Sequence, residues 1–181
     1  IYTLSLHDAL PICCIDQLEE FILDKESELK DAHNVICGDL NARTGDKNNP
    51  STTMLEDHIP RNVPFPEEEE VNIGNRESHD TVINKFGQKL LDMCYTFQLF
   101  ITNGRVYGDL HGEFTFCSNH GASVNDYFIC SSDFFDYVTM LNVGDRHESD
   151  HLPLELTCEF PRTPSVSDRQ IPGEKSEIIW N

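Results

Sequence analysis

Residues 34–45 read "NVICGDLNARTG". The first part, "NVICGDL", is a short apolar run rich in Val and Ile, and the rest is a polar turn that carries Gly45, so the run predicts a strand buried in a sheet. Side chains alternate along a strand. Asp39 and Asn41, two positions apart, would therefore face the same way at the strand's C-terminal end. Taken alone, such a polar strand end is better explained as a turn former than as chemistry.

Working outward, residues 14–31 place Ile15, Leu18, Phe21, Ile22 and Leu29 on one helical face, with Asp16 and Glu19 at capping-box-like spacing. A helix is expected there. On the other side, the chain from Thr44 to Asp80 carries Pro60, Pro64, Pro66 and the run Glu67–Glu70, with little periodicity. This reads as a long surface excursion, and its acidic run as a solvated loop face. Asn84 then looks like the N-cap of a second helix, with Phe86, Leu90, Met93, Cys94 and Phe97 at helical spacing and an end near Gln98.

After this helix come "LFITNGR", "GEFTFCS", "SVNDYFICS", "DYVTMLNV" and "LPLELTCEF", separated by Gly, Asn, Asp and Ser, which read as successive strands. In the last, Leu152, Leu154, Leu156, Cys158 and Phe160 alternate with Pro153, Glu155, Thr157 and Glu159, which predicts one buried and one wet face. From Pro161 onward the sequence is polar and broken by proline. Residues 161–181 are read as a linker or disordered tail.

The 181 residues suit one domain with a substantial core. Lys+Arg 13 against Asp+Glu 32 gives a net charge of -19, whereas a protein that lives on phosphate contacts is usually basic. Bulk charge therefore argues mildly against nucleic acid. Seven cysteines, an odd number with no CxxC pair, make neither a zinc nor a disulfide framework. Cys37, Cys117, Cys130 and Cys158 sit in apolar runs and read as reduced core residues of an intracellular protein, in nucleus or cytoplasm. No signal peptide or membrane-spanning stretch is evident. Residues 1–12, "IYTLSLHDALPI", resemble the translation of a sequencing adapter and are set apart from the fold as a non-native segment.

Three polar clusters interrupt the apolar runs: Asp39 with Asn41, Asn125 with Asp126, and Ser149, Asp150 and His151. Cleaving a phosphodiester needs a group to position and deprotonate water, a donor for the phosphate oxygens, and carboxylates for a hard divalent cation. These clusters supply those residue types. A rival motif, "HESDH" at 147–151, matches the H-E-x-x-H zinc pattern. That chemistry needs a helix, and Gly144, Pro153 and the strand alternation that follows argue against one.

The order "GDLNARTG", "NGR" followed by "GEFTF", "SVNDYF" and "ESDHLPL" resembles the C-terminal half of the endonuclease/exonuclease/phosphatase family, the DNase I-like fold. With "LLDMC", "ITNGR" and "SDHLPL" it is similar to the endonuclease domains of non-LTR retrotransposons, over about Cys14 to Phe160. The resemblance implies an α/β (α+β) chain forming part of a four-layer αββα sandwich, with its site where the sheets meet. Asp39 would orient and activate the attacking water, Asn41 would hold a phosphate oxygen, Asp126 would orient His151, and His151 would donate to the scissile phosphate. Asp150 would serve the Mg²⁺ site, with Mn²⁺ as a substitute.

The family pattern has an aliphatic residue where Asn125 stands, a departure that bears on packing. In its first half it also carries an early Asn, the main metal-ligating Glu, and a Tyr and His facing the phosphate, none with a counterpart here. The expectation is therefore a fragment lacking its N-terminal half, impaired in cutting DNA, its natural substrate. The same fold also hosts phosphoinositide and other phosphoester hydrolases, and a non-catalytic remnant is the third reading.

Overall fold

A strand flanked on both sides and covered on both faces reads as a near-continuous apolar run, and Asp126–Ser131 (β5) is such a strand between its polar ends, with its first five residues buried. The computed structural model describes residues 11–25, 33–47, 75–145, 149–160 and 176–180. Around β5 the elements are α1 (Pro11–Asp24), β1 (Val35–Asp39), α2 (Lys85–Thr96), β2 (Leu99–Ile101), β3 (Phe116–Ser118) and β4 (Gly121–Ser123). After it come α3 (Ser132–Phe135), β6 (Val138–Val143), β7 (Leu154–Cys158) and β8 (Ser176–Trp180). Three antiparallel sheets result, ordered β1-β5-β2, β3-β4 and β6-β7-β8.

Alternation along β5 divides the core. Tyr127 and Ile129 pack with Ile15 and Leu18 of α1 and with Leu90 and Met93 of α2. Phe128 and Cys130, pointing the other way, pack with Leu141 of β6 and with Leu154, Leu156 and Cys158 of β7. Helices thus cover one face of the central sheet and the β6-β7-β8 sheet covers the other. The architecture is mixed helix and antiparallel sheet (α+β).

Several expectations hold in place, and several do not. The strand at Val35–Asp39 is present. The second helix starts after Asn84, whose side chain accepts from Gly87 N. Cys37, Cys94, Cys117, Cys130 and Cys158 are free thiols, with Cys94, Cys130 and Cys158 buried. No described helix is long and apolar enough to cross a membrane. By contrast, α1 begins at Pro11, so Asp16 and Glu19 lie inside it and cap nothing. Proline is well placed in a first turn, where its missing N–H costs nothing. Asp16 pairs instead with Lys89 on α2. Residues 1–10 and Leu29 lie outside the described residues, as does the run Glu67–Glu70.

The excursion expected from Thr44 to Asp80 is not a surface loop at its ends. Thr44, Arg76 and Asp80 are buried, and Arg76 donates to the main-chain oxygens of Asn103, Gly45 and Lys47. The tail expected at 161–181 is likewise corrected at Ser176–Trp180, which pairs along the whole of β7. A two-sided β7 has N–H and C=O groups to satisfy on both edges, and the "SEIIW" run supplies the partner. The stretch "DYVTMLNV" also begins its strand later than expected, because Ser132–Phe135 first makes one short helix.

Candidate metal and phosphate site

The register of β1 on β5 sets Asp39 directly opposite Asp126, the last residue of one strand against the first of the other. Directly opposed residues of an antiparallel pair share a face, so the two carboxylates converge. His151 arrives from a third place. Cys117 N donates to Asp150 O at 2.8 Å and Leu152 N to Thr115 O at 2.7 Å, so bonds on either side of His151 hold it against β3. Its ring meets that of Phe116 edge-on, 4.9 Å between centroids.

In this position His151 Nδ1 lies 3.0 and 3.1 Å from the two oxygens of Asp126. Its Nε2 lies 3.8 Å from Asp39 Oδ2. Asp126 is almost fully buried, at 4% exposure, while the side chains of His151 and Asp39 remain 38% and 33% accessible. Burial pushes the Asp126 carboxyl above the usual carboxylate range, against the hydrogen bond and charge of His151 and a bond from Thr115, which lower it; the charge of Asp39 adds to the rise. One buried acid thus faces one exposed acid across an imidazole.

Asn41 completes this edge. Its main-chain N–H donates to Asp39 Oδ1 at 2.9 Å and its Nδ2 to Asp39 Oδ2 at 3.3 Å. The turn requires a left-handed residue, and Asn41 has φ 49, a conformation that Asn tolerates better than most side chains. The loop is then tied down behind the site. Asn84 Nδ2 donates to Asn41 O, Arg43 N donates to Asn84 Oδ1, and Asn84 N donates to Arg43 O. Arg43 makes a two-pronged pair with buried Asp80 at 2.8 and 2.7 Å, and Asp80 also accepts from Val82 N and Val124 N. The Tyr127 hydroxyl, within 2.5 Å of Ala42 O and 2.8 Å of Val124 O, joins the same loop to the approach of β5.

Of the residues singled out in the sequence, Asp39, Asn41, Asp126 and His151 come together. Asp150 stays exposed, outside the converging group, and contributes its main-chain oxygen to Cys117. Asn125 acts through its backbone, its N–H donating to Thr115 Oγ1 and its oxygen accepting from Leu40 N. His147 and Glu148 lie outside the described residues; His151 sits in an isolated bridge to Phe116. Two positioning residues went unassigned in the sequence. Thr115 Oγ1 takes the N–H groups of both Asn125 and Asp126 at 3.0 Å. Asn103, fully buried, donates to Asp126 O and accepts from Phe128 N, each at 3.2 Å. A polar residue within the apolar "ITNGR" and "GEFTFCS" runs was the available signal.

Asp39, Asp126 and His151 each offer a ligand atom, all within 4.8 Å of one another, so a metal ion could be held there. Carboxylate oxygens suit hard cations such as Mg²⁺ or Mn²⁺, and an imidazole widens the choice toward softer divalent ions. Compared with known proteins, the chain matches no protein-family model and no curated protein.

Proposed function

We propose that this chain belongs to an endonuclease-type, Mg²⁺-dependent phosphodiesterase of the DNase I-like fold, derived from a non-LTR retrotransposon, with DNA as its substrate. The observation that carries the reading is the convergence of Asp39, Asp126 and His151 at one end of the β1-β5 ladder. A divalent cation there would be held by the carboxylates of Asp39 and Asp126, with waters for the rest. Once bound, it would offset charge developing on the phosphate. Asp39, the more exposed acid, would align and take the proton of the attacking water. Asn41 Nδ2, now on Asp39, would turn to a phosphate oxygen. Asp126 on Nδ1 would fix the imidazole's orientation and leave Nε2, the nitrogen facing Asp39, to donate a proton to the phosphate.

Because the family's principal metal-ligating Glu has no counterpart in this chain, turnover is expected to be slow. The test is Mn²⁺ binding by calorimetry beside nicking of supercoiled plasmid. Cation binding and a weak, chelator-sensitive nicking, both lost in Asp39→Ala, are the expected results. Failure to bind the cation, or nicking that survives Asp39→Ala, would sink the proposal. The net charge of -19 favours a second reading, a small phosphoester substrate, because a short anion meets less of that field than a DNA duplex does. An inositol phosphate release assay on the same preparation separates the two.

A further inference from the structure

Two stretches far apart in sequence meet beside the β2–β3 connection. Glu77 N donates to Gly104 O and His79 N to Gly112 O, both at 3.0 Å, laying residues 75–80 along residues 102–114. The approach tolerates no side chain: a Cβ on Gly104 would stand 1.9 Å from Glu77 O, and one on Gly112 2.4 Å from it, and both glycines have positive φ. Over this backbone seam the side chains cross. His111 of the connection reaches Glu77 of the other stretch, Nδ1 to Oε2 at 2.8 Å. His79 of that stretch reaches back to Glu113 of the connection at 3.2 Å. The two imidazoles lie parallel, 6.4 Å between centroids and 3° between planes.

Each pair therefore bridges the seam, an imidazole on one side meeting a carboxylate on the other. We propose that the crossed pairs His79–Glu113 and His111–Glu77 form a protonation-sensitive latch, which holds the β2–β3 connection on residues 75–80 more firmly when the His111 imidazole is charged. The surroundings favour that charge. Glu77, Glu113 and Asp109 face His111, against the one neighbouring imidazole of His79; His79 faces Glu113, His111 and the Phe114 ring. The Glu77 hydrogen bond, followed by the charges of Glu77, Glu113 and Asp109, raises the His111 pKa above its ordinary 6.5. A histidine raised in this way contributes fully below the unfolded value, and its contribution is lost as pH rises through the higher folded one. The connection it secures begins at Asn103 and ends at Thr115, the two side chains that fix the backbone of Asp126.

The test is amide hydrogen exchange at Glu77 and His79, followed by NMR from about pH 5.5 to about pH 8.5, corrected for intrinsic exchange and referred to Ile129 in β5. Protection at Glu77 and His79 should fall relative to Ile129 by roughly two- to fivefold as pH rises, a size set by exposed ion pairs. His111→Gln and Glu77→Gln, both surface changes, should flatten that fall. A ratio to Ile129 that does not change with pH, or a fall in both variants as large as in the wild type, would overturn the latch.

Discussion

Asp126 carries the site's main electrostatic conflict. Its carboxyl is raised chiefly by burial, and an acid raised on folding stabilises the fold most when protonated. That contribution is full below the unfolded value near 3.8 and is lost as pH rises through the folded value, so the ionised form at neutral pH is a burden on the fold. Asp126→Asn removes the charge and keeps an acceptor for His151. It should therefore melt at or above the wild-type temperature at neutral pH while losing roughly ten- to a hundredfold in Mn²⁺ affinity, measured by calorimetry. A lower melting temperature would mean that the attraction of His151 outweighs burial. Asp80 shows the opposite sign. Burial alone would raise it, but Arg43 and the N–H groups of Val124 and Val82 bring its carboxyl below the usual range. Its contribution is therefore present above the unfolded value and fades as pH falls through the folded one. Asp80→Asn should cost about 2 kcal/mol in urea unfolding at neutral pH, with the gap to wild type closing below about pH 4. Asp39, Asn41, Asp126 and His151 stood out in the sequence as polar interruptions of apolar runs, as Asn125 and Asp150 did, and only the order of their motifs, through the resemblance, set them apart from turn formers. Thr115, Asn103 and Asp80 were not, because a hydroxyl, amide or carboxylate that serves backbone N–H groups becomes visible only once the strand register and loop contacts are known.

At the scale of elements, the N-terminus of α2 is what presses the Asp39–Asn41 turn into place. Gly87 stands so close to the β1 loop that an added Cβ would lie 1.7 Å from Arg43 O and 2.3 Å from its carbonyl carbon. Gly87 has no positive φ to explain it, and proximity alone requires the missing side chain. Gly87→Ala should push helix and loop apart and destabilise by about 2 kcal/mol or more, read from a urea melt; a melt unchanged within error would refute the contact. Asn84 was readable as a cap from its spacing, since an N-cap acts within its own helix. Its second task, bonding Asn41 and Arg43 across 41 residues or more, has no local signature. The same limit explains the other misses. Proline-rich and acidic composition hid the buried ends of the 44–80 excursion, because Arg76 and Asp80 bond to partners distant in sequence. β8 was hidden because five residues in a polar tail declare themselves a strand only when an open edge of β7 is there to pair with.

For the molecule as a whole, the alternation of β5 consumes its apolar side chains in two cores, one against helices and one against a sheet, and most of the described charge, apart from Arg76, Asp80, Asp109 and Asp126, is left to the outside. With 32 acidic residues against 13 basic ones, the chain's net charge repels a polyanion. A basic DNA-binding protein releases condensed counterions when its lysines and arginines meet phosphates, so its affinity falls steeply with salt. On the proposed reading, in which contact with phosphate runs through a bound cation, this acidic chain would release few. What added salt mainly does is screen repulsion, over a Debye length that shrinks from about 30 Å at 0.01 M to about 10 Å at 0.1 M. Binding of a short DNA duplex at fixed Mg²⁺, measured by fluorescence anisotropy, should therefore hold level or strengthen as NaCl rises from about 20 to about 150 mM. A steep loss of affinity over that range would place a local basic surface, rather than the net charge, in control of DNA approach. A small phosphoester would feel the same screening with a shallower slope, because fewer of its charges lie in the field of the acidic surface.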